Sequence, residues 1–486
     1  MPLTLPKSMS EPVSPFSRAE LQKLNHDELV ELVLSLLECV ARLTERVKEL
    51  EAQVAKNSGN SSKPPSSDGL NKKPAPAPTG KPGGRKRGGQ PGHPGRTLKQ
   101  VSMPDEVLKH ALPEQCDCGR PLVSVMAEIR QVFDIPPVSP RITEHQTFKA
   151  CCPCGRTHRS VFPAEVAAPV QYGPILKALA VLLTQHHMLP FERTAELLSG
   201  VLGLTLCPAT IEAFVIEAAA RLSPTVSAIA VAVTVAPVIN VDETGMRVAG
   251  KLKWLHVAVT QALAWMGIHA RRGLEAMTAF GILPKVEGIL VHDGWKPYET
   301  LDQCEHALCN AHILRDLTFI HEVFKQDWAK RMMDFLLAAN KLVRQAAGQP
   351  LPAERQAALR STYDRLIAEG WAANPPTPSP LKARKGPLKK TPAVNLLNRL
   401  QQQAGEVLHF LRNPAVPFTN NLAEQTVRMP KVKQKVAGCF RTLPGAERFC
   451  TIRSYLVTLA KQGCNLLDAL VSTMRGTVPQ PDLSAV

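Results

Sequence analysis

Two short apolar segments, each ending in an aspartate, constrain the fold of this chain more than any other feature. Val238-Ile-Asn-Val-Asp242 and Gly288-Ile-Leu-Val-His-Asp293 both read as buried β-strands, and residues 254–260 and 264–269 between them predict a meander. Parallel strands in one sheet would bring Asp242 and Asp293 together at their carboxyl ends, where open α/β sheets place their ligands. The sequence therefore predicts an α/β domain with an acidic site at one edge of its sheet.

A third carboxylate stands on a predicted helix much later in the chain. Glu424, Arg428 and Lys431 have the spacing i, i+4, i+7, so one helix face presents an acid and then two cations, with Pro430 favouring a kink or an end there. Three carboxylates can bind two Mg²⁺ ions, or Mn²⁺ in their place, while the cations hold DNA phosphates. A single Asp at a strand end is more often a turn or a cap. The combination of all three acids favours a nuclease or a strand-transfer enzyme.

The net charge of the chain indicates the same class of partner. The 486 residues include 58 Lys and Arg but only 42 Asp and Glu, which gives +16 and favours nucleic acid. A hydrophobic content of 44% excludes a fibrous or wholly disordered protein. The most apolar run, 228–241, is interrupted by polar residues and is shorter than the ~20 residues that a bilayer requires. With no leader segment predicted, we expect a cytoplasmic protein that does not contact membranes.

Segment 18–56 carries a strict heptad repeat. Apolar residues alternate at spacings of four and three: Leu29, Val33, Leu36, Val40, Leu43, Val47, Leu50 and Val54. Valine at a and leucine at d favour two parallel helices, and a repeat of 3.5 residues distinguishes this pattern from a single surface helix. We expect a coiled coil that pairs two chains. Val30, Leu32 and Leu37 widen the stripe and leave a larger oligomer open.

Residues 57–100 form a basic segment rich in proline and glycine. They include nine Lys or Arg residues and one acid, Asp68, which predicts a disordered tether. The segment is either a solvated linker or a phosphate-binding arm, and the two roles are compatible. The cations of the proposed arm are Lys81, Arg85, Lys86 and Arg87.

A small cysteine module, 101–165, follows the tether. Cys116-Asp-Cys118-Gly and Cys151-Cys152-Pro-Cys154-Gly predict two knuckles joined by a hairpin between Glu128 and Phe148. Four thiolates in this arrangement bind structural Zn²⁺, although free buried thiols are the alternative. Cys116, Cys118 and Cys154 are the expected ligands, with either Cys151 or Cys152 as the fourth.

A helical region, 170–236, lies between the cysteine module and the first predicted strand. Phe191 to Leu198, a Gly-Val-Leu-Gly turn and Pro208 to Arg221 outline a helix-turn-helix that would contact DNA. Most helix pairs joined by glycine turns only pack a core, and that alternative remains open.

Five motifs in order resemble the insertion-sequence-66 family of bacterial DDE transposases. They are Val241-Asp-Glu-Thr-Gly, Trp254-Leu-His-Val, His292-Asp-Gly-Trp-Lys-Pro-Tyr, Cys309-Asn-Ala-His-Ile-Leu-Arg, and Asn420-Asn-Leu-Ala-Glu-Gln followed by Lys-Gln-Lys. The resemblance covers nearly the whole chain. It implies a ribonuclease-H-like catalytic core at 237–311 and 414–440, a helical insertion at 312–413, and a C-terminal helical region at 441–486. It also implies that Asp242, Asp293 and Glu424 form an acidic triad holding two metal ions.

The same resemblance implies DNA cleavage at transposon ends and strand transfer into target DNA, with accessory proteins of the element as further partners. A ribonuclease-H-fold nuclease or resolvase without joining activity, and a non-catalytic zinc-containing regulator, remain as alternatives. We expect the DNA-contacting cations near the triad to be Arg428, Lys431, Lys433, Lys435 and Arg441, with His312 and Arg315 also within reach of a phosphate.

Two further patterns receive no metal role. Strand alternation turns Glu243 away from Asp242. Cys304-x-His306-x-x-Cys309-x-x-His312 has metal-like spacing, but we favour a strand at 306–308 running into a helix that begins near Asn310, with Cys309 packed inside.

Overall fold

The computed structural model describes residues 21–57, 59–61, 98–110, 113–122, 126, 128–136, 138–375 and 390–484. The basic arm residues Lys81, Arg85, Lys86 and Arg87, and most of the tether, lie outside these ranges. Helix α1, His26–Val54, begins at a capping box formed by Asn25 and Glu28. Its heptad side chains are 36–86% exposed, and pairing with a second chain remains a prediction.

The cysteine module contains one short hairpin, formed by β1, Lys149–Cys151, and β2, Thr157–Arg159. This hairpin spans the second knuckle. The hairpin predicted between Glu128 and Phe148 is wrong, because none of the described residues in that segment lies in a strand. The apolar side chains of that segment, such as Val132 and Ile142, are largely exposed. They have no core to pack against, so their alternation does not produce a sheet.

The helical region consists of α2, Pro174–Val181, a π-helical turn at Leu182–His186, α3, Phe191–Leu202, and α4, Pro208–Thr234. Helices α2 and α4 each begin at a proline, whose fixed φ suits the first helical position. Helix α3 ends at Gly203 with φ +66°. Helix α4 continues through Pro224 and is longer than the stretch predicted from the sequence.

A five-stranded mixed sheet follows, with the strands near the positions predicted. Its elements are β3, Val238–Val248, β4, Lys251–Val259, β5, Ala264–His269, α5, Leu274–Phe280, β6, Ile289–His292, and β7, Glu305–Leu308. The strand order is β5-β4-β3-β6-β7. Strands β3, β4 and β5 form the antiparallel meander, and β6 and β7 add parallel to β3. The parallel pairing sets the carboxyl end of β6 beside the middle of β3, so Asp242 lies inside β3 rather than at the strand end that the sequence predicts, because β3 continues to Val248 in its antiparallel pairing with β4.

A helical insertion packs against the β7 edge. It comprises α6, Asn310–Phe324, α7, Asp327–Gln345, α8, Ala353–Ala373, α9, Pro392–Gln402, α10, Ala404–Val407, and α11, His409–Arg412. Its core includes Trp328, Tyr363 and Leu397 and is continuous with Val291 and Ala307 of the sheet. Covering β7 in this way hides a strand edge that would otherwise be free to pair.

Three helices complete the described chain: α12, Asn421–Ala437, α13, Leu443–Lys461, and α14, Leu466–Met474. Helix α12 continues through Pro430. Helices α13 and α14 share one apolar core with α2–α4, in which Leu222 and Tyr455 are fully buried. By length and composition α4 could cross a membrane, but it packs inside this core.

We expect Gly370→Ala in α8 to destabilise the insertion. A Cβ atom there would lie 2.4 Å from Leu397 Cδ2 and 3.1 Å from Trp328 Cδ2, and overpacking of this kind costs about 1–3 kcal/mol. Gly200→Ala in α3 is the matched control, because its Cβ meets nothing within 4 Å. The control should be neutral or stabilising. Urea unfolding followed by circular dichroism measures both, and equal stability of the two variants would contradict this packing.

Candidate functional site

The sheet sets Asp242 and Asp293 next to each other. The parallel pairing of β3 with β6 aligns Asn240 with Val291, and the same register continued by two residues sets Asp242 level with Asp293. Because adjacent strands are ~4.8 Å apart, Asp242 and Asp293 are neighbours across β3 and β6. Asp293 follows the last residue of β6, and its Oδ1 accepts the N–H of Trp295 at 2.9 Å.

The carboxylate of Asp242 lies in a strongly acidic environment. Burial, together with the carboxylates of Glu243, Asp293 and Glu424, raises its pKa to about 8. Its Oδ1 accepts the N–H of Glu243 at 2.8 Å, which offsets only part of this effect. An acid with such a pKa keeps its proton at neutral pH unless a cation arrives to compensate the charge.

Glu424 lies in the first turn of α12 and faces the start of α6. Its Oε1 is 3.7 Å from Cys309 Sγ and 3.8 Å from His312 Nδ1, and its Oε2 is 4.0 Å from Arg315. Among the described residues, one group of three metal-ligating side chains has all its donor atoms within 4.8 Å of one another. That group is Cys309, His312 and Glu424, rather than the three carboxylates.

A buried amide network fastens α12 to the sheet. Asn240 Nδ2 donates to Asn420 Oδ1 at 2.9 Å, and Asn420 Nδ2 donates to the carbonyl of Val241 at 2.7 Å. The N–H of Asn420 donates to Cys309 Sγ at 3.1 Å. Sequence reasoning missed these residues, although an asparagine inside the apolar run of β3 was a usable signal.

Glu243, next to Asp242 on β3, has its own partners, although its carboxylate is the charge that acts most strongly on Asp242. Its side chain is 2% exposed and accepts hydrogen bonds from Arg272 Nε at 2.9 Å and from the hydroxyl of Tyr298. Burial raises its pKa despite these partners. The guanidinium of Arg272 lies over the rings of Trp254, at 4.9 Å, and Trp295, at 4.1 Å. Glu243 is therefore paired with its own cation, Arg272, whereas Asp242 forms no ion pair with any residue that the structure describes.

The five cations predicted to contact DNA divide into two groups. Arg428, Lys435 and Arg441 are exposed. Lys431 Nζ instead donates to the carbonyl of Gly245, and Lys433 Nζ lies 5.5 Å and 5.3 Å from the ring centroids of Phe440 and Phe449.

The interpretation of Lys431 and Lys433 as free DNA-facing cations is therefore corrected. Burial lowers the pKa of Lys433 to about 8, because its stem lies on the side of α12 that packs inward. The helical spacing identified the helix but not its buried face.

The Cys304–His312 motif does not converge. Cys304 Sγ and His306 Nε2 lie 4.0 Å apart, and His306 Nδ1 is 3.0 Å from His292 Nε2. Cys309 and His312 turn instead toward Glu424. The strand-to-helix transition at Cys309, with α6 beginning at Asn310, agrees with the favoured prediction.

The two cysteine knuckles have the same backbone hydrogen bonds. The N–H of Cys116 donates to Arg120 O at 2.9 Å, and the N–H of Cys152 donates to Arg156 O at 2.8 Å. Each knuckle turns at a glycine with positive φ, +80° at Gly119 and +84° at Gly155. The structure therefore aligns Cys152, rather than Cys151, with Cys116.

Hydrogen bonds also favour the thiolate form in both knuckles. Those from Cys118 lower the pKa of Cys116, and those from Arg156 and Cys152 lower the pKa of Cys154. Cys151 differs, since it lies on β1 with its Sγ 3.5 Å from Thr157 Oγ1.

Three family models match the chain. The model described as "Transposase IS66 family" matches residues 169–448, more than half of the chain. The model described as "zinc-finger binding domain of transposase IS66" matches residues 113–155, a range that includes all five cysteines of the module. A family of unknown function (DUF6444) matches residues 10–99. No curated protein matches the chain.

We expect Cys152→Ser to release zinc and Cys151→Ser to retain it. The alignment of the knuckles makes Cys152 a ligand with Cys116, Cys118 and Cys154, and structural zinc needs four ligands. Zinc content of the purified full-length chain, measured by mass spectrometry after dialysis, tests this. Zinc loss in Cys151→Ser with retention in Cys152→Ser would reverse the assignment.

We also expect Asp242→Asn to stabilise the protein when no Mg²⁺ is added. Because the folded-state pKa is about 8 and the unfolded value is ~4, the folded wild type binds a proton that the unfolded chain lacks between these values. Wild-type stability should therefore fall as the pH rises through this window. Asp242→Asn lacks this titration, so between pH 5 and pH 8 the wild type should lose on the order of 4 kcal/mol more stability than the variant.

Urea unfolding of the zinc-loaded chain between about pH 5 and pH 8 measures the difference. Asp302→Asn, at an exposed position, is the control and should follow the wild type. A variant curve parallel to that of the wild type would contradict the raised pKa.

Proposed function

Because this chain belongs to the IS66 family of transposases, we propose that it cuts DNA at the ends of its mobile element and joins those ends to target DNA. The observation that carries the proposal is electrostatic: the carboxylates of Asp293 and Glu424 both act on the buried carboxyl of Asp242 and raise its pKa. The strand order, with the first acid on β3 and the second after β6, supports a ribonuclease-H-like catalytic core. The hydrogen bonds between Asn420 and β3, which hold the first turn of α12 against the sheet, support Glu424 as the third acid.

The donor set fits two Mg²⁺ ions, with Mn²⁺ as a substitute. Carboxylate oxygens are the ligands these ions prefer, and the raised pKa of Asp242 indicates a buried acidic site whose ionisation a bound cation would favour. Asp242, Asp293 and Glu424 would hold the ions. When bound, the ions would activate the attacking oxygen and stabilise the leaving oxygen of an in-line phosphoryl displacement.

The chain's own residues supply position and charge. Asp242 gives up its proton on ion binding, and the buried Asn240–Asn420 pair fixes the distance from Glu424 to the sheet. The exposed cations Arg428, Lys435 and Arg441 orient DNA phosphates beside the site, with Arg315 and His312 next to Glu424. Cleavage exposes a 3′-hydroxyl, and the same site then positions that hydroxyl to attack target DNA.

Other parts of the chain hold the DNA ends together. The exposed heptad seam of α1 supports pairing of two protomers, so that two ends are held in one complex. The zinc module and the helix-turn-helix-like α3 and α4 recognise the ends, and the basic tether adds salt-dependent affinity. Accessory proteins of the same element are further partners. The enzyme works in the cytoplasm, at the nucleoid.

We expect Asp242→Asn, Asp293→Asn and Glu424→Gln each to lower cleavage and joining by ~10³-fold or more, while DNA binding persists. The reason is that each amide removes a charge that would hold the metal ions. Glu287→Gln, exposed at the opposite end of β6, is the matched control and should remain active. Purified chain, labelled element ends and target plasmid provide the assay.

The assay also separates the proposal from its alternatives. Active triad variants would remove these acids from the mechanism. Wild-type cleavage without joined product would identify a nuclease or resolvase, and the absence of metal-dependent cleavage would leave a DNA-binding regulator.

A further inference from the structure

We propose that Cys309, His312 and Glu424 form a binding site for a borderline-soft divalent ion, Zn²⁺, which shares Glu424 with the all-oxygen acidic site. The site itself does not depend on the proposed function. Its inhibitory consequence does, because occupation by Zn²⁺ would withdraw Glu424 from the proposed triad.

The donor atoms already stand near the spacing of a zinc site. Oε1 of Glu424 lies 3.7 Å from Cys309 Sγ and 3.8 Å from His312 Nδ1, and all three donors lie within 4.8 Å of one another. With Zn–S near 2.3 Å and Zn–N and Zn–O near 2.0 Å, tetrahedral ligands are separated by roughly 3.3–3.6 Å. The two distances to Glu424 need to shorten by about 0.2–0.5 Å, and the distance between Cys309 Sγ and His312 Nδ1 by at most about 1.3 Å, to enclose an ion.

His312 provides an observation that points to a ligand. Its Nδ1 is buried and has no hydrogen-bond partner among the described residues. At 3.8 Å from Glu424 it is too distant for a hydrogen bond. A buried nitrogen without a partner is uncommon in folded proteins, and here it faces the space between a thiol and a carboxylate.

Cys309 is placed as a zinc thiolate would be. Burial raises the pKa of Cys309 to about 11, and the N–H of Asn420, which Sγ accepts at 3.1 Å, offsets part of this effect. A bound Zn²⁺ would displace the thiol proton and stabilise the thiolate. Cys309 is the N-cap of α6 and His312 is three residues further, so both lie on one helix face. The positions of Cys309 and His312 are therefore set by the first turn of α6. The position of Glu424 is set by the hydrogen bonds of Asn420 that hold α12 against the sheet.

The charges balance when the ion is present. A thiolate, a carboxylate and a neutral imidazole together carry the −2 that Zn²⁺ neutralises, whereas Mg²⁺ disfavours sulfur as a ligand. The other charged groups nearby are Arg315, 4.0 Å from Glu424, and the acids Asp293 and Asp316, whose fields act on His312. Three protein ligands leave a fourth position for water.

Cobalt provides a direct test on the full-length chain with its zinc module already loaded. Co²⁺ added to this protein should produce thiolate-to-metal charge-transfer absorption. Cys309→Ser should abolish that band, and His312→Asn should weaken Co²⁺ and Zn²⁺ binding at least ~10-fold. Cys304→Ser is the matched control, because this neighbouring half-buried thiol contacts His306 rather than Glu424, and it should bind as the wild type does.

The wild-type spectrum keeps the proposal falsifiable even if a variant fails to fold. Absence of the charge-transfer band in the zinc-loaded wild type would overturn it, as would a band that survives Cys309→Ser but disappears in Cys304→Ser. Binding is measured without DNA, so loss of transposition in the triad assay does not affect it. Where the enzyme is active, Zn²⁺ should inhibit the Mg²⁺-dependent reaction, and His312→Asn should need at least ~10-fold more Zn²⁺ for the same fractional inhibition.

Discussion

One buried pair of amides joins parts of the chain that lie 180 residues apart. Asn240 donates to Asn420, and Asn420 donates to the β3 carbonyl beside Asp242. Both side chains are nearly inaccessible to water, so breaking either bond would leave an unsatisfied polar group in the core, at a cost of ~1–3 kcal/mol. The first turn of α12 is consequently fixed against the sheet, and the position of Glu424 depends on that attachment.

Two neighbouring acids on β3 show how position determines the electrostatic cost of burial. Glu243 is paired with Arg272, which two tryptophans hold in place. Asp242 lies near other carboxylates, and no cation among the described residues forms an ion pair with it, so its pKa is raised and its ionisation would lower the stability of the folded chain. A protein that retains such a site accepts a less stable fold in return for a strong attraction toward cations.

The strands and the place of Asp293 after β6 were predictable, because apolar runs of strand length are local properties of the sequence. The continuation of β3 beyond Asp242 was not, since it depends on pairing with β4. The helix with Glu424 was predictable too, but which of its lysines pack inward was not, since Lys433 is buried by Phe440 and Phe449 from outside the helix. The alternation of apolar residues at 128–148 led to a wrong prediction of a hairpin for the same reason, since alternating side chains form a sheet only where a core is present for them to pack against. Cys309 and His312 had visible spacing, but their partner Glu424 lies 115 residues from Cys309 along the chain.

The core shared by α2–α4 with α13 and α14 has a consequence for synthesis on the ribosome. Leu222 is translated long before Tyr455, yet the two are buried in the same cluster. The early helices must therefore wait, with their apolar faces uncovered, until almost the entire polypeptide has emerged. During that interval α1 is already complete, so the proposed pairing through its heptads would let nascent chains on one messenger meet before either has a finished core. Assembly of this protein would then favour partners made from the same transcript.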